Sequence, residues 1–221
     1  AEDNFDNIYQ YDPFGPTVPV SAQNEIMTAN VFSGRFANET VQAASFYTYD
    51  MATNYEIYVI PNYTGVDSLN DLGSCAAKGS FDYAGYHTVK FDESVAITGN
   101  KFAVVVKLLK FGSKVGTYVE MPIETSNVYA KQLYGVARAS EGESYIYKSN
   151  SWTDLTSVYP NANNCIKAFT NGKTAKVLLF SKAFKTASDE MMTIDEVISA
   201  GIEINPKFID YTKERIALSF V

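Results

Sequence analysis

Apolar and polar side chains alternate along much of the chain up to about residue 170. The clearest run places apolar residues on one parity, at Phe102, Val104, Val106 and Leu108, with lysines on the other parity. A period of two is typical of a β-strand that has one face in a core and one in solvent. The same character predicts five more strands: Ala44–Tyr49, Tyr55–Ile60, Tyr86–Phe91, Tyr145–Lys148 and Cys165–Thr170.

Turn-forming residues separate the predicted strands. Clusters of such residues occur at Asp50–Asn54, Thr98–Asn100, Phe111–Gly116 and Pro160–Asn164. Many short strands with such turns, and no long helical stripe, predict an all-β fold, an antiparallel β-sandwich of the jelly-roll kind over residues 5–171. The residues expected in its core share a parity within their strands: Phe46, Ile57, Val59, Val89, Phe102, Val104, Val106 and Phe169.

The pattern changes after residue 172. Ala175–Phe184 still has strand character, and Arg215–Val221 alternates again. Between them, Thr193 and Glu196 have the spacing of a capping box, which predicts a helix at about 193–200. We therefore expect a C-terminal extension over residues 172–221, a small mixed α/β segment with one short helix and flanking strands.

Composition narrows the class of protein. Of the 221 residues, 46% are hydrophobic and 14% aromatic, which is enough to build a core and excludes a disordered chain. The longest apolar run, Phe102–Leu109, is far shorter than the roughly 20 residues of a spanning helix, so membrane insertion is not expected. The 25 acidic and 18 basic residues give a net charge of −7. Because an acidic surface repels phosphate groups, nucleic acid is not expected as a partner.

Two cysteines, Cys75 and Cys165, lie far apart in the sequence. A disulfide between them would contribute about 4 kcal/mol in the chain-entropy model, whereas two buried free thiols would act as small apolar side chains. Spacing alone does not distinguish these alternatives. With one histidine and no Cys-x-x-Cys pair the sequence lacks a zinc pattern, so no metal ligands are assigned.

The sequence offers little for catalysis. His87, the only histidine, shares the parity of Val89 and Phe91, which favours a packed side chain over a general base. No Gly-x-Ser-x-Gly elbow occurs. A jelly-roll glycosidase would need two facing carboxylates, and none of the candidates forms an inward pair: Glu56, Asp92, Glu93, Glu120, Glu124 and Asp154. No catalytic residue is assigned, and we expect no enzymatic activity in this chain.

The single tryptophan, Trp152, suggests a ligand site. It stands in the polar segment Lys148–Asp154, just after a predicted strand. Polar surroundings favour a loop position, where the ring would stack on the apolar face of a sugar while Asn150 and Asp154 bind its hydroxyl groups. These three residues are the predicted ligand-binding site. The competing explanation is that a lone tryptophan closes one end of the core.

Oxygen-bearing side chains are frequent near the N-terminus: Asp3, Asn4, Asp6, Asn7 and Asp12. Ca²⁺ prefers such ligands, but their spacing is not that of an EF-hand loop. We therefore expect a solvated terminus and no cofactor, with a structural calcium ion as the alternative.

Seven segments in order carry a family resemblance: Ile8–Gly15, Ala29–Phe32, Ala44–Thr48, Tyr55–Val59, Gly85–Lys90, Gly99–Leu108 and Cys165–Thr170. Together they resemble the bacterial and archaeal lectin-like domain found C-terminal to papain-family (C1) cysteine peptidases. The resemblance covers residues 5–171 and does not extend into the tail from Lys173. It implies a secreted or cell-surface, non-catalytic accessory or adhesion module, which binds carbohydrate or a cell-surface protein and neighbours a peptidase domain in its parent chain. A structural spacer without a ligand is the alternative function.

Overall fold

The computed structural model describes residues 5–110, 118–126 and 135–172, and after these only the strand residues 174–175, 184–185, 191–192, 209–210 and 215–216. The chain forms two compact units. One comprises residues 1–34 and 38–172, and the other comprises residues 35–37 and 173–221.

Short strands make up most of the described chain. In chain order they are β1 Asn7–Tyr9, β2 Val18–Gln23, β3 Glu25–Ser33, β4 Phe36–Ala37, β5 Thr40–Thr48, β6 Thr53–Ile60, β7 Cys75–Phe81, β8 Gly85–Ala96, β9 Lys101–Lys110, β10 Tyr118–Glu124, β11 Ser144–Lys148, β12 Ser151–Asp154, β13 Asn163–Asn164 and β14 Lys167–Asn171. Two single turns of helix accompany them, a 3-10 turn at Val66–Asn70 and α1 at Leu155–Val158.

The first unit is a β-sandwich. Its larger sheet has six strands in the order β12–β11–β3–β9–β6–β7, and two smaller sheets, β1–β14–β5–β8 and β13–β10–β2, contribute to the same core. Neighbouring strands are antiparallel throughout these sheets. The predicted all-β antiparallel sandwich is therefore confirmed.

The main core lies between the larger sheet and the two smaller ones. Six of the eight predicted core residues are buried in it: Phe46, Ile57, Val59, Phe102, Val104 and Val106. Val89 is half-buried against them. Phe169 is a wrong prediction, because its neighbour Ala168 takes the inward parity of β14 while the Phe169 ring packs on Phe5, with 5.0 Å between ring centroids.

A second apolar cluster covers the outer face of the larger sheet. It joins strand residues to the segment that contains the 3-10 turn: Ala29, Val31, Ile60, Tyr63, Leu69, Ala103, Val105, Tyr145 and Trp152. The middle of β9 is consequently buried on both faces, which explains why Ala103 and Val105 are apolar as well as the inward residues.

Several strands contain residues that are uncommon in strands, so the sequence does not predict them. In β2 and β10, Pro19 and Pro122 stand opposite each other in the register, and proline is depleted in strands because it cannot donate a backbone hydrogen bond. The predicted turn at Pro160–Asn164 ends in β13, whose two asparagines are fully buried. The predicted turn at 111–116 lies outside the described residues.

The second unit contains paired two-residue strands. β15 at Thr174–Ala175 pairs with β4, β16 at Phe184–Lys185 pairs with β17 at Met191–Met192, and β18 at Ile209–Asp210 pairs with β19 at Arg215–Ile216. The predicted helix at 193–200 lies outside the described residues, as do most of the strands predicted at 175–184 and 215–221. In the part of the chain that the structure describes, no helix combines the length and apolar character needed to span a membrane.

Candidate binding site

Trp152 lies in strand β12, so the expectation of a loop position is wrong. Its side chain is only 9% exposed, and its Nε1 donates a hydrogen bond to the Leu69 carbonyl oxygen at 2.9 Å. Tyr147 packs edge-on against the indole, with 5.3 Å between centroids. The polar neighbours Ser151 and Thr153 occupy the opposite parity of the strand. Trp152 is therefore a packed member of the second apolar cluster.

The other two predicted ligand-binding residues have different surroundings. Asn150 is exposed in the two-residue turn between β11 and β12, where its φ of 61° suits an asparagine. Asp154 caps α1: its Oδ1 accepts from Thr156 N at 2.9 Å, and its Oδ2 accepts from Gly142 N at 2.6 Å. The carboxylate of Asp154 thus binds a backbone N–H of α1 and one of the turn before β11, and the Asp-x-Thr pattern could have indicated the cap of α1.

Of the oxygen-rich N-terminal residues, the three that the structure describes do not form one shared site. Asp3 and Asn4 lie outside the described residues. Asp6 Oδ2 accepts from Gly172 N at 3.1 Å, and Asn7 Nδ2 donates to the Gly172 carbonyl oxygen at 3.1 Å. Asp12 instead forms an ion pair with Lys167. Within the described ranges, no three acidic, histidine or cysteine side chains are grouped to hold a metal ion.

The two cysteines are free thiols, which resolves the alternative left open by the sequence. Cys75 is exposed on β7, and Cys165 is fully buried, which raises the pKa of its thiol. His87 packs on the inward side of β8. Its ring stacks on Phe81 with 3.6 Å between ring centroids, and its Nε2 forms a hydrogen bond with Thr48 Oγ1 at 2.9 Å. Burial lowers the pKa of His87. These contacts fit a structural histidine better than a general base.

A buried acidic cluster fastens the loop after β1 to the sandwich. Asp12 is 2% exposed and its Oδ2 lies 2.7 Å from Lys167 Nζ, while Glu124 is 1% exposed and its Oε1 accepts from Phe14 N at 2.6 Å. One oxygen of each carboxylate, Asp12 Oδ1 and Glu124 Oε2, has no hydrogen-bond partner. Burial raises the pKa of both groups, and Lys167 partly offsets this for Asp12.

The remaining carboxylates considered for a glycosidase have separate roles. Glu56 Oε2 accepts from the Tyr58 hydroxyl at 2.8 Å, and Glu120 Oε1 accepts from Ser21 Oγ at 3.2 Å. Asp92 and Glu93 are exposed on β8. With Glu124 buried and Asp154 used as a helix cap, these side chains do not make the facing pair that glycoside hydrolysis requires.

Three tyrosines form an aromatic surface on the outward side of β5 and β8, with Tyr47 half-buried in β5, Tyr86 exposed in β8 and Tyr49 exposed just after the end of β5. This tyrosine surface consists of Tyr47, Tyr49 and Tyr86. Tyr47 and Tyr86 are direct register partners, and their ring centroids are 4.7 Å apart at an interplanar angle of 47°. Tyr49 and Tyr86 are 39% and 45% exposed. Nothing in the sequence pattern marked this surface, because it depends on the pairing of two strands that are distant in the chain.

The turns beside the tyrosine surface also expose large side chains. Met51 follows β5 and Tyr83 precedes β8, and both are exposed. Ala52 N donates to the Asp82 carbonyl oxygen at 3.2 Å, so the two turns are in contact. One end of the sandwich therefore exposes a group of large aromatic and apolar side chains, a feature that commonly marks a binding surface.

Comparison with known proteins identifies similar domains. A family model described as "Lectin like domain" matches residues 8–170. The structure of the clostridial cysteine protease Cwp84 after propeptide cleavage is 26% identical, with a TM-score of 0.64 over 76% of this chain and 40% of that chain.

The structure of the cysteine protease and lectin-like domains of Cwp84, a surface layer associated protein of Clostridium difficile, is 27% identical, with a TM-score of 0.67 over 76% of this chain and 36% of that chain. The chain thus spans about two fifths of the length of these protease chains. The comparison with curated proteins gave no match.

Proposed function

Because the chain belongs to the lectin-like domain family, we propose that it is the non-catalytic accessory module of a cysteine peptidase at the cell surface and that it binds carbohydrate there. The family match agrees with the resemblance carried by the seven sequence segments. In Cwp84 a lectin-like domain and a cysteine protease domain occur in one protein, which is described as surface layer associated. These relatives support a peptidase neighbour and a surface location for the present chain.

The exposed aromatic end of the sandwich is the observation that carries the binding role. Tyrosine rings on a rigid sheet offer apolar planes to the C–H face of a sugar and hydroxyl groups to its polar edge. The surroundings of Cys165 and His87 do not suit peptidase chemistry. Cys165 is buried, and His87 is occupied by Thr48 and Phe81.

Polysaccharide binding is the first test of this proposal. The chain is subjected to native electrophoresis in gels that contain soluble xylan, mannan, β-glucan, chitosan or glycan strands from a Gram-positive cell wall. We expect slower migration in at least one of them, relative to bovine serum albumin in the same gel. Unaltered migration in all of them, by protein shown to be folded by circular dichroism, would leave the structural-spacer alternative and contradict the carbohydrate role.

The non-catalytic role has its own measurement. A fluorogenic peptide substrate of papain-type proteases is incubated with the chain under reducing conditions, beside papain at equal concentration. We expect no hydrolysis above background. Hydrolysis that iodoacetamide abolishes would show a functional thiol and contradict the proposal, because the exposed Cys75 is the group that the reagent can reach.

A further inference from the structure

We infer that the tyrosine surface, Tyr47, Tyr49 and Tyr86, is the carbohydrate-binding site of this domain and that it takes an internal stretch of a polysaccharide chain. The inference rests on the proposed function, for which it names the site and the mode of binding. It replaces the site expected around Trp152 with residues on the opposite layer of the sandwich.

The backbone holds these tyrosines in place before any ligand arrives. Their inward neighbours are core residues: Phe46 is fully buried, and His87 stacks on Phe81. The hydrogen bond between Thr48 Oγ1 and His87 Nε2 joins β5 to β8 on the inward side, directly behind the pair of Tyr47 and Tyr86. A site on two paired strands loses little conformational freedom on binding, which favours affinity for a weakly binding ligand such as a sugar.

The chemistry of the surface fits a sugar. In the described part of the chain, none of the three tyrosine hydroxyls forms a hydrogen bond within the protein. The hydroxyls of the exposed Tyr49 and Tyr86 are open to a ligand, whereas the Tyr47 hydroxyl lies close to Gly15. Tyr58 on the opposite layer differs in this respect, because its hydroxyl already donates to Glu56. Thr88, the next outward residue after Tyr86, is exposed and bonded to Ser45 Oγ at 2.7 Å, which places a further hydroxyl group beside the rings.

The placement of the rings predicts the mode of binding. Tyr47 is the last outward residue of β5, and the exposed Tyr49 follows it two positions later, just beyond the end of the strand. The exposed Met51 and Tyr83 continue the surface at the adjoining turns. Rings in a row on the outward face of a sheet contact successive sugar units of a chain, whereas a single terminal sugar would contact one ring. Affinity should therefore rise with the length of the oligosaccharide.

Single substitutions in the full chain test the site. Tyr49→Ala and Tyr86→Ala should each weaken binding to the polysaccharide that retards the wild-type chain by about tenfold, as expected for loss of one stacking ring. Tyr86→Phe, which keeps the ring, should retain more affinity than Tyr86→Ala. Tyr58→Ala is the matched control on the opposite layer and should bind as the wild type does. Thermal melting by circular dichroism shows that each variant is folded at the assay temperature.

The outcomes separate this inference from the function on which it rests. If Tyr49→Ala and Tyr86→Ala bind the polysaccharide with the affinity of the wild type, the assignment of the site is overturned and the carbohydrate role stays intact. Wild-type binding that is equal for a disaccharide and a hexasaccharide of the same polysaccharide, measured by calorimetry, would overturn the internal-stretch mode. Absence of binding by the wild-type chain would overturn both, and capture of a cell-surface protein that competes at Tyr86 would assign the surface to a protein partner instead.

Discussion

Strand parity decides the role of each aromatic residue in this domain. Phe46 and Tyr47 are neighbours in β5, yet Phe46 is in the core and Tyr47 is on the tyrosine surface. The sequence identifies Phe46 correctly because the polar Ser45 separates it from Ala44, which shares its inward parity. It fails for Phe169, since apolar residues occur on both parities of this segment, Ile166 and Ala168 on the inward one and Phe169 on the other. Parity is informative only where the two faces differ in polarity.

Trp152 shows the same difficulty for a different reason. Its strand neighbours are polar, and the residue that covers it comes from a distant segment, so the sequence around it gives no sign of burial. Leu69 supplies both apolar contact and the carbonyl oxygen that accepts the indole N–H. Burial of this kind depends on a long-range contact that no local pattern encodes.

Substitution of Trp152 tests its structural role. Trp152→Phe removes the donor to the Leu69 carbonyl and part of a packed ring, and should lower the free energy of unfolding by about 1–3 kcal/mol. Urea denaturation followed by circular dichroism measures this change. The control is Val66→Ala, at an exposed position of the 3-10 turn that contains Leu69. Polysaccharide binding should be unchanged. A variant as stable as the wild type that no longer binds polysaccharide would restore Trp152 as a ligand platform.

Among elements, the sequence predicts six strands of the sandwich, of which β6 and β9 are the clearest. β6 and β9 each place one parity of apolar residues on the main core, which the sequence shows as a period of two: Ile57, Val59, Phe102, Val104, Val106 and Leu108. β2 and β10 escape prediction because of their facing prolines, and β13 because its buried residues are asparagines. Asn164 Nδ2 donates to the carbonyl oxygens of Ala29 and Tyr145 at 2.9 and 3.0 Å, so a polar side chain joins three elements inside the protein.

Loss of that side chain should weaken the whole sandwich. Asn164→Ala leaves two buried carbonyl oxygens without the donor they have in the wild type, which should cost about 2–5 kcal/mol. The exposed Asn70→Ala provides a control of the same residue type and should change stability by no more than about 0.5 kcal/mol. Urea unfolding of both variants measures the difference, and equal stability would show that the buried network contributes little.

At the scale of the whole molecule, the net charge of −7 does not show which of the charged groups are buried. The sandwich encloses Glu124 of β10 and Asp12 of the loop after β1, with one ammonium group, Lys167, beside the two carboxyl groups. Composition cannot reveal this arrangement, because the three residues lie on separate segments that meet only in the folded chain. Its consequence is a link between folding and pH.

The pH dependence of stability measures this link. The pKa of Glu124 is raised above the value of 4.5 that applies to an exposed group, chiefly by burial, so the folded state binds more protons than the unfolded state above about pH 4.5. The contribution of Glu124 to stability is greatest below that pH and is lost as the pH rises through the folded-state pKa. Glu124→Gln removes this titration while keeping an acceptor for Phe14 N. Between pH 4 and 7, the free energy of unfolding of the wild type should therefore fall relative to that of Glu124→Gln. Urea unfolding at unit pH intervals tests this, with the exposed Glu141→Gln as the control, and wild-type and Glu124→Gln curves that run parallel would contradict it.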